Sequence, residues 1–181
     1  MTDVQRFEAF LLAHQDMVFA SAVRLVGRAA DAEDIAQTTF LKAWERFDEL
    51  QDNPAAGGWL RTVATNLALN HLSRYRSRWR FFSELSAGPD ADAGQMPFEA
   101  RLAAEALPDA IERTEELVAL ERALRALPPH QRVPIVLFHF DRKSYEQIAD
   151  RLGVSVGKIK TDIHRGRLAL RGVLSHDDGT R

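Results

Sequence analysis

The chain has 181 residues, enough for one ordinary domain or two small ones, and its 45% hydrophobic content excludes a wholly disordered polymer. With no cysteine, disulfides and cysteine-ligated zinc or iron–sulfur centres are excluded. The formal charge of −2 conceals a segregation: residues 84–121 carry ten acidic side chains against Arg101 and Arg113, whereas residues 142–171 carry eight basic ones against Glu146, Asp150 and Asp162. A near-neutral total of this kind still offers a local basic field to a polyanion. Early charges at Asp3, Arg6 and Glu8 leave no cleavable apolar leader, and no apolar run is expected to reach spanning length. The expectation is an unexported, cytoplasmic protein without membrane insertion.

Phe7, Leu11, His14, Val18, Ala22 and Leu25 recur at helical spacing and Gly27 is a stop. His14 lies on that stripe and is expected to pack there without chemistry. Asp31 is placed to cap a second helix, with Glu33 and Asp34 in a first turn whose dipole favours negative charge. Ala36, Phe40, Ala43, Trp44 and Phe47 share its apolar face. Asp34, Gln37, Thr38, Lys42 and Glu45 form the polar one, either solvated or a docking surface.

The loop formers QDNPAAGG, residues 51–58, precede a long helical pattern from Trp59 to about Leu85. Leu60, Val63, Ala64, Leu67 and His71 make one side. Trp59, Thr62, Asn66, Asn70 and Ser73 make another, an indole and a row of amides and hydroxyls able to stack on an unpaired base and bond its edges. Arg74, Arg76, Arg78 and Arg80 then alternate around Tyr75 and Trp79, a pattern suited to phosphate contact and stacking.

Residues 86–97 are rich in Gly, Pro and Asp and read as a linker, followed by an acidic segment to residue 113. Leu117, Leu120, Leu124 and Leu127 repeat along a helix from Thr114, which Pro128 and Pro129 end while opening the next. Val133, Val136, Leu137 and Phe140 make that next helix mostly apolar. Ser144 and Gln147 have capping-box spacing, and Gly153 supplies a left-handed stop after Ile148, Ala149 and Leu152. Val154 turns inward and Ser155 caps a second helix. There Ile159, Ile163, Gly166 and Leu170 fall on one side and Lys158, Lys160, Thr161, His164 and Arg165 on the other. Short helix, glycine turn and longer basic helix are the helix-turn-helix order, whose second helix enters a major groove.

Taken together, three blocks resemble the extracytoplasmic-function (ECF) sigma factors of bacterial RNA polymerase. They are residues 31–50 (DAEDIAQTTFLKAWERFDEL), 59–74 (WLRTVATNLALNHLSR) and 124–171 (LRALPPHQRVPIVLFHFDRKSYEQIADRLGVSVGKIKTDIHRGRLALR). The resemblance implies an all-α chain of two small helical domains joined by an acidic linker: a polymerase- and downstream-promoter-binding domain over 1–85, the linker over 86–113, a helix-turn-helix domain over 114–175 and a tail over 176–181. It implies polymerase-clamp contact near Asp34, Gln37 and Phe40. Capture of a flipped base by the 51–58 loop and Asn66 is implied too, and the residue pattern itself adds Trp59, Thr62, Asn70, Arg74, Arg76, Arg78 and Arg80 as candidates for the downstream element. Ser155, Lys158, Lys160, Thr161, His164 and Arg165 are the candidates for the upstream element. The family often has a basic residue where this chain has Asp162, and an acidic group near phosphates is expected to weaken or redirect contacts there.

The implied partners are core RNA polymerase, promoter DNA and an anti-sigma factor. No cofactor or metal is implied, and the six histidines form no triad or ligand pattern, so no enzyme is expected. Two other functions fit the same residues: a sigma-like decoy that binds an anti-sigma factor, and an autonomous helix-turn-helix regulator acting as a dimer.

Overall fold

A computed structural model describes residues 2–74 and 115–177, with side chains over 2–73 and 117–172. The described residues form helices, turns and loops with no strand, and the chain divides into two compact units, Met1–Gly94 and Gln95–Arg181.

The first unit begins with α1, Asp3–Val26, opened by a capping box in which the Gln5 amide donates to Thr2 Oγ1 and the Thr2 amide donates to Gln5 Oε1. It closes at Gly27, whose φ of 81° is the left-handed value a Cβ would disfavour. Val18, Ala22, Val23 and Leu25 are buried along its inner side. By length and composition α1 is a candidate membrane span, 24 residues with a mean hydropathy of 1.3 over 18 of them, contrary to the expectation that no run has that reach. The same inner side chains are used here as the core of a helical unit, packed on α2 and α4.

Helix α2, Ala29–Trp44, starts three residues earlier than expected, because Gly27 and an extended Arg28 turn the chain directly into it. Asp31 is therefore not the cap. It lies in the first turn, with its carboxylate 3.6 Å from His71 Nε2 and 3.9 Å from Arg28 Nε. The helix also ends before Phe47, which opens the short α3, Phe47–Leu50. That break turns Phe47 back onto α1, where its ring meets Phe7 at 5.1 Å and Phe10 at 5.6 Å between centroids.

Helix α4, Ala56–Arg74, begins inside the 51–58 loop, not after it. Asn53 Oδ1 accepts from the Ala55 amide at 2.9 Å and turns the chain into the helix, whose Gly57 lies beside the His14 ring. His14 itself is held by Nδ1 on the Phe10 carbonyl, 2.8 Å away. Ala32, Ala43, Leu60, Ala64 and Ala68 complete the core of small side chains between α1, α2 and α4. The expected continuation of α4 to about Leu85 lies outside the described residues, as does the linker.

In the second unit α5, Glu115–Ala126, buries Leu124 while Leu117 stays half exposed. Pro128 caps α6, Pro129–His139, and the Arg132 guanidinium donates to the Arg125 and Leu127 carbonyls at 3.0 and 2.9 Å. Helix α7, Tyr145–Leu152, has the expected capping box at Ser144 and the left-handed Gly153, φ 66°. Helix α8, Val156–Asp177, seats Ile159, Ile163 and Leu170 in the core. Gly166 sits in close contact with α6: a Cβ there would lie 2.4 Å from Ile135 Cδ1 and 3.3 Å from Gln131 Cβ, so the Ile135 side chain would have to shift.

Candidate nucleic-acid interface

The exposed side of α8 carries Lys160, Thr161, His164 and Arg165, all exposed, on a helix fixed from below by its apolar stripe. Ser155 Oγ accepts from the Lys158 amide at 3.2 Å, so its first task is to cap. Thr161 Oγ1 donates to the Gly157 carbonyl at 3.1 Å, which leaves its oxygen as an acceptor. Lys160 also faces the first turn of α7, where the Glu146 carboxyl is held below its ordinary range by its own backbone amide, then Ser144, then the Lys160 charge.

Asp162 does not project toward a ligand, contrary to expectation. It is a buried charged residue, and its carboxylate binds Lys158 Nζ at 2.8 Å. Position 162 is three residues past Ile159 and one before Ile163, so the inward face of the helix, not its basic face, receives it. Arg167, absent from the sequence candidates, donates from Nε and Nη2 to His139 Nε2 at 3.3 and 3.0 Å and covers the Phe138 ring at 5.4 Å. Burial first, and the Arg167 charge second, hold the His139 imidazole below its ordinary pKa. The ring therefore accepts as a neutral base.

On α4 the row of Thr62, Asn66, Asn70 and Ser73 is exposed along one side, with Trp59 half-buried at its start. Thr62 Oγ1 donates to the Gly58 carbonyl and Ser73 Oγ to that of Asn70, each at 2.9 Å, so both hydroxyl protons are spent on the helix. The polar groups this row presents outward are therefore side-chain amides and acceptor oxygens. Arg46 stands 5.9 Å over the Trp59 ring while its guanidinium binds Glu49 at 2.6 Å. Arg74 ends the helix, with its side chain outside the described set; Arg76, Arg78 and Arg80 lie outside it entirely.

Asp34 and Gln37 lie on the exposed side of α2, but Phe40 is 7% exposed and belongs to the core, so its ring offers no contact surface. The apolar group on that surface is Leu41, 65% exposed, next to Trp44 at 45%. Leu41 follows Gln37 by four residues and Asp34 by seven, which is the helical signal that places it among them. Trp44 is pinned edge-on by Phe7, 4.9 Å between centroids. Among the described residues no cluster of His, Asp and Glu could hold a metal.

Residues 10–79 match the Sigma-70 region 2 family and residues 117–170 the Sigma-70 region 4 family. Among curated proteins the chain is 37% identical over 163 residues to ECF RNA polymerase sigma factor SigE of Mycolicibacterium smegmatis, covering 90% of this chain and 59% of that one. It is 30% identical to the RNA polymerase sigma-E factor of Streptomyces coelicolor, over 94% of this chain and 87% of that one. With ECF sigma factor SigW of Bacillus subtilis it shares 31%, over 93% and 89%. Among solved structures it is similar to the sigma factor RpoE in complex with the anti-sigma factor NepR from Bartonella quintana, with a TM-score of 0.52, 28% identity, and coverage of 93% of this chain and 96% of that one. The chain thus spans 59% of the length of SigE but nearly nine-tenths of the two other sigma factors. Helix-turn-helix, exposed amide row and both region matches converge on one assignment: this chain belongs to the ECF family of RNA polymerase sigma factors.

Proposed function

We propose that the chain binds core RNA polymerase in the cytoplasm, directs it to promoters and assists their opening, the catalysis of RNA synthesis remaining with the polymerase. The observation that carries this is the pairing, in one chain of this family, of an uncharged amide row on α4 with a basic exposed face on α8. The first suits bases of an unpaired strand and the second a duplex rich in phosphate charge. Asp34, Gln37, Leu41 and Trp44 are the proposed polymerase contact, with Phe40 supporting them from the core. Asn66, with Trp59, Thr62 and Asn70, receives the displaced strand, and Arg74, Arg76, Arg78 and Arg80 follow its phosphates.

Extruding a base costs a few kcal/mol of unstacking, which contacts to the displaced strand must offset. Residues 86–113, as a tether between units over 1–85 and 114–175, raise the effective concentration of one reader once the other is bound. An anti-sigma factor is a second proposed partner: the relative RpoE was crystallised with one, and the exposed Leu41 and Leu168 are apolar anchors such an inhibitor would cover.

Transcription reconstituted from purified core enzyme, this chain and a promoter library tests the proposal. Promoter-dependent transcripts with a defined sequence preference are expected. A decoy for an anti-sigma factor gives none, and an autonomous regulator binds its duplex as a dimer without polymerase.

A further inference from the structure

An ion pair links the first and second turns of α8 in the order along the helix that favours such pairs less. Lys158 Nζ donates to Asp162 Oδ2 at 2.8 Å, with the carboxylate side chain 6% exposed and the lysine 40%. A cation in the first turn faces the positive end of the helix dipole, and lysine preceding its acidic partner by four residues is the weaker order for such pairs. The main chain of the same lysine is fixed as well, since its amide donates to Ser155 Oγ. Lys158 is thus held at both ends by neighbours on its own helix.

An ammonium has three donors, and Oδ2 of Asp162 takes one. The others remain on the exposed part of the group, in the N-terminal turn that a recognition helix brings to base edges. There a lysine donates to guanine O6 and N7. A lysine already tethered has surrendered much of the roughly 2 kcal/mol of rotamer entropy that a free one carries. Paired with a carboxylate, it also adds no net charge to the field that attracts phosphates.

Resting on the proposed duplex-reading role of α8, we propose that Asp162 is a positioning residue that holds Lys158 as a fixed donor to a guanine edge, making it a specificity determinant and not a phosphate contact. The general phosphate attraction then belongs to Arg165 and to Lys160, which stand exposed on the outer face although Lys160 also acts on the Glu146 carboxylate of α7.

The test uses the full chain with core enzyme on a promoter library, together with the salt dependence of upstream-element binding. Wild type is expected to prefer guanine at one upstream position by roughly tenfold. Asp162→Asn keeps the buried shape and removes the charge. It is expected to lose that preference while the log–log salt slope steepens by about 0.9, the signature of one newly neutralised phosphate. Lys158→Ala loses the same preference without steepening, and the double variant matches Lys158→Ala. Retention of both preference and slope by Asp162→Asn overturns the inference, as does an equal loss on every sequence accompanied by a lower melting temperature. Should Asp162→Asn fail to fold, Lys158→Ala decides alone: a loss confined to one base pair supports the inference, and a uniform loss with a shallower slope overturns it. Promoter-dependent transcription by a wild-type chain without any upstream preference sinks the duplex-reading role itself.

Discussion

Helices α4 and α8 each end one unit's described segment and each present an exposed polar face, yet the two faces are chemically opposite. On α4 the face is uncharged: Asn66 and Asn70 amides, with two hydroxyls whose protons are bound to the helix backbone. On α8 it is cationic, and Asp162, the only acid among the helix's described side chains, is withdrawn into the core. An uncharged row gains little from long-range attraction and must recognise by contact. A basic one attracts phosphate charge at range, so any selectivity it has would rest on donors held in place. The glycines differ in the same sense: Gly166 on α8 is pressed against Ile135, whereas Gly58 on α4 has nothing within 4 Å of an added Cβ.

The largest expected effect breaks the seat of α8. Gly166→Val forces a branched side chain against Ile135 and Gln131 and should destabilise the second unit by about 3 kcal/mol, seen as a lower denaturation midpoint. A midpoint unchanged within error would mean that α8 has room to move. Next, Arg165→Ala should weaken upstream duplex binding by roughly 1–3 kcal/mol if it reads a guanine edge. Equal weakening on all sequences, in a titration over unrelated duplexes, would make it a phosphate contact. On the other helix Asn66→Ala should reduce promoter opening by about tenfold, or about 1.4 kcal/mol, with core-enzyme binding intact. Permanganate footprinting that shows normal opening would remove Asn66 from the proposed pocket.

Smaller effects sharpen the contrast. Gly58→Ala should stabilise the first unit by about 0.5–1 kcal/mol, because the helix gains propensity and the new methyl meets open space. The smallest is a pH response confined to the second unit. His139 has a folded pKa below the ordinary imidazole value, so as pH falls the unfolded chain takes up the proton first. Its contribution is full above about 6.5 and is lost as pH falls through the lower folded value. Thermal melts between about pH 7.5 and about pH 5 should show this slope for wild type and a reduced one for His139→Asn.

Local signals were legible wherever one residue type enforces one geometry. The Ser144 capping box, the left-handed Gly27 and Gly153, and the Pro128–Pro129 corner stand where the sequence places them. The cap at Thr2 obeys the same rule, with Gln5 three residues on as its reciprocal partner. Failures came where a neighbour distant in sequence decides. Asp31 was free to cap on local grounds, but the tight exit from Gly27 began the helix earlier and left the carboxylate near His71 of α4. Periodicity put Phe40 and Trp44 on one face, and only packing separates a core ring from one that is 45% exposed. Asp162 shows the same limit at the site: its charge was legible, its burial was not, and that burial reverses its meaning for the basic face.

The corner between α5 and α6 has a consequence for assembly. Two successive prolines bring no amide hydrogens to the end of α5, and the guanidinium that reaches its terminal carbonyls comes from Arg132, one turn into the following helix. Formation of α6 therefore supplies hydrogen bonds to carbonyls at the end of α5 that the two prolines cannot donate. The corner thus couples the stability of the two helices, because loss of either removes hydrogen bonds that the other uses.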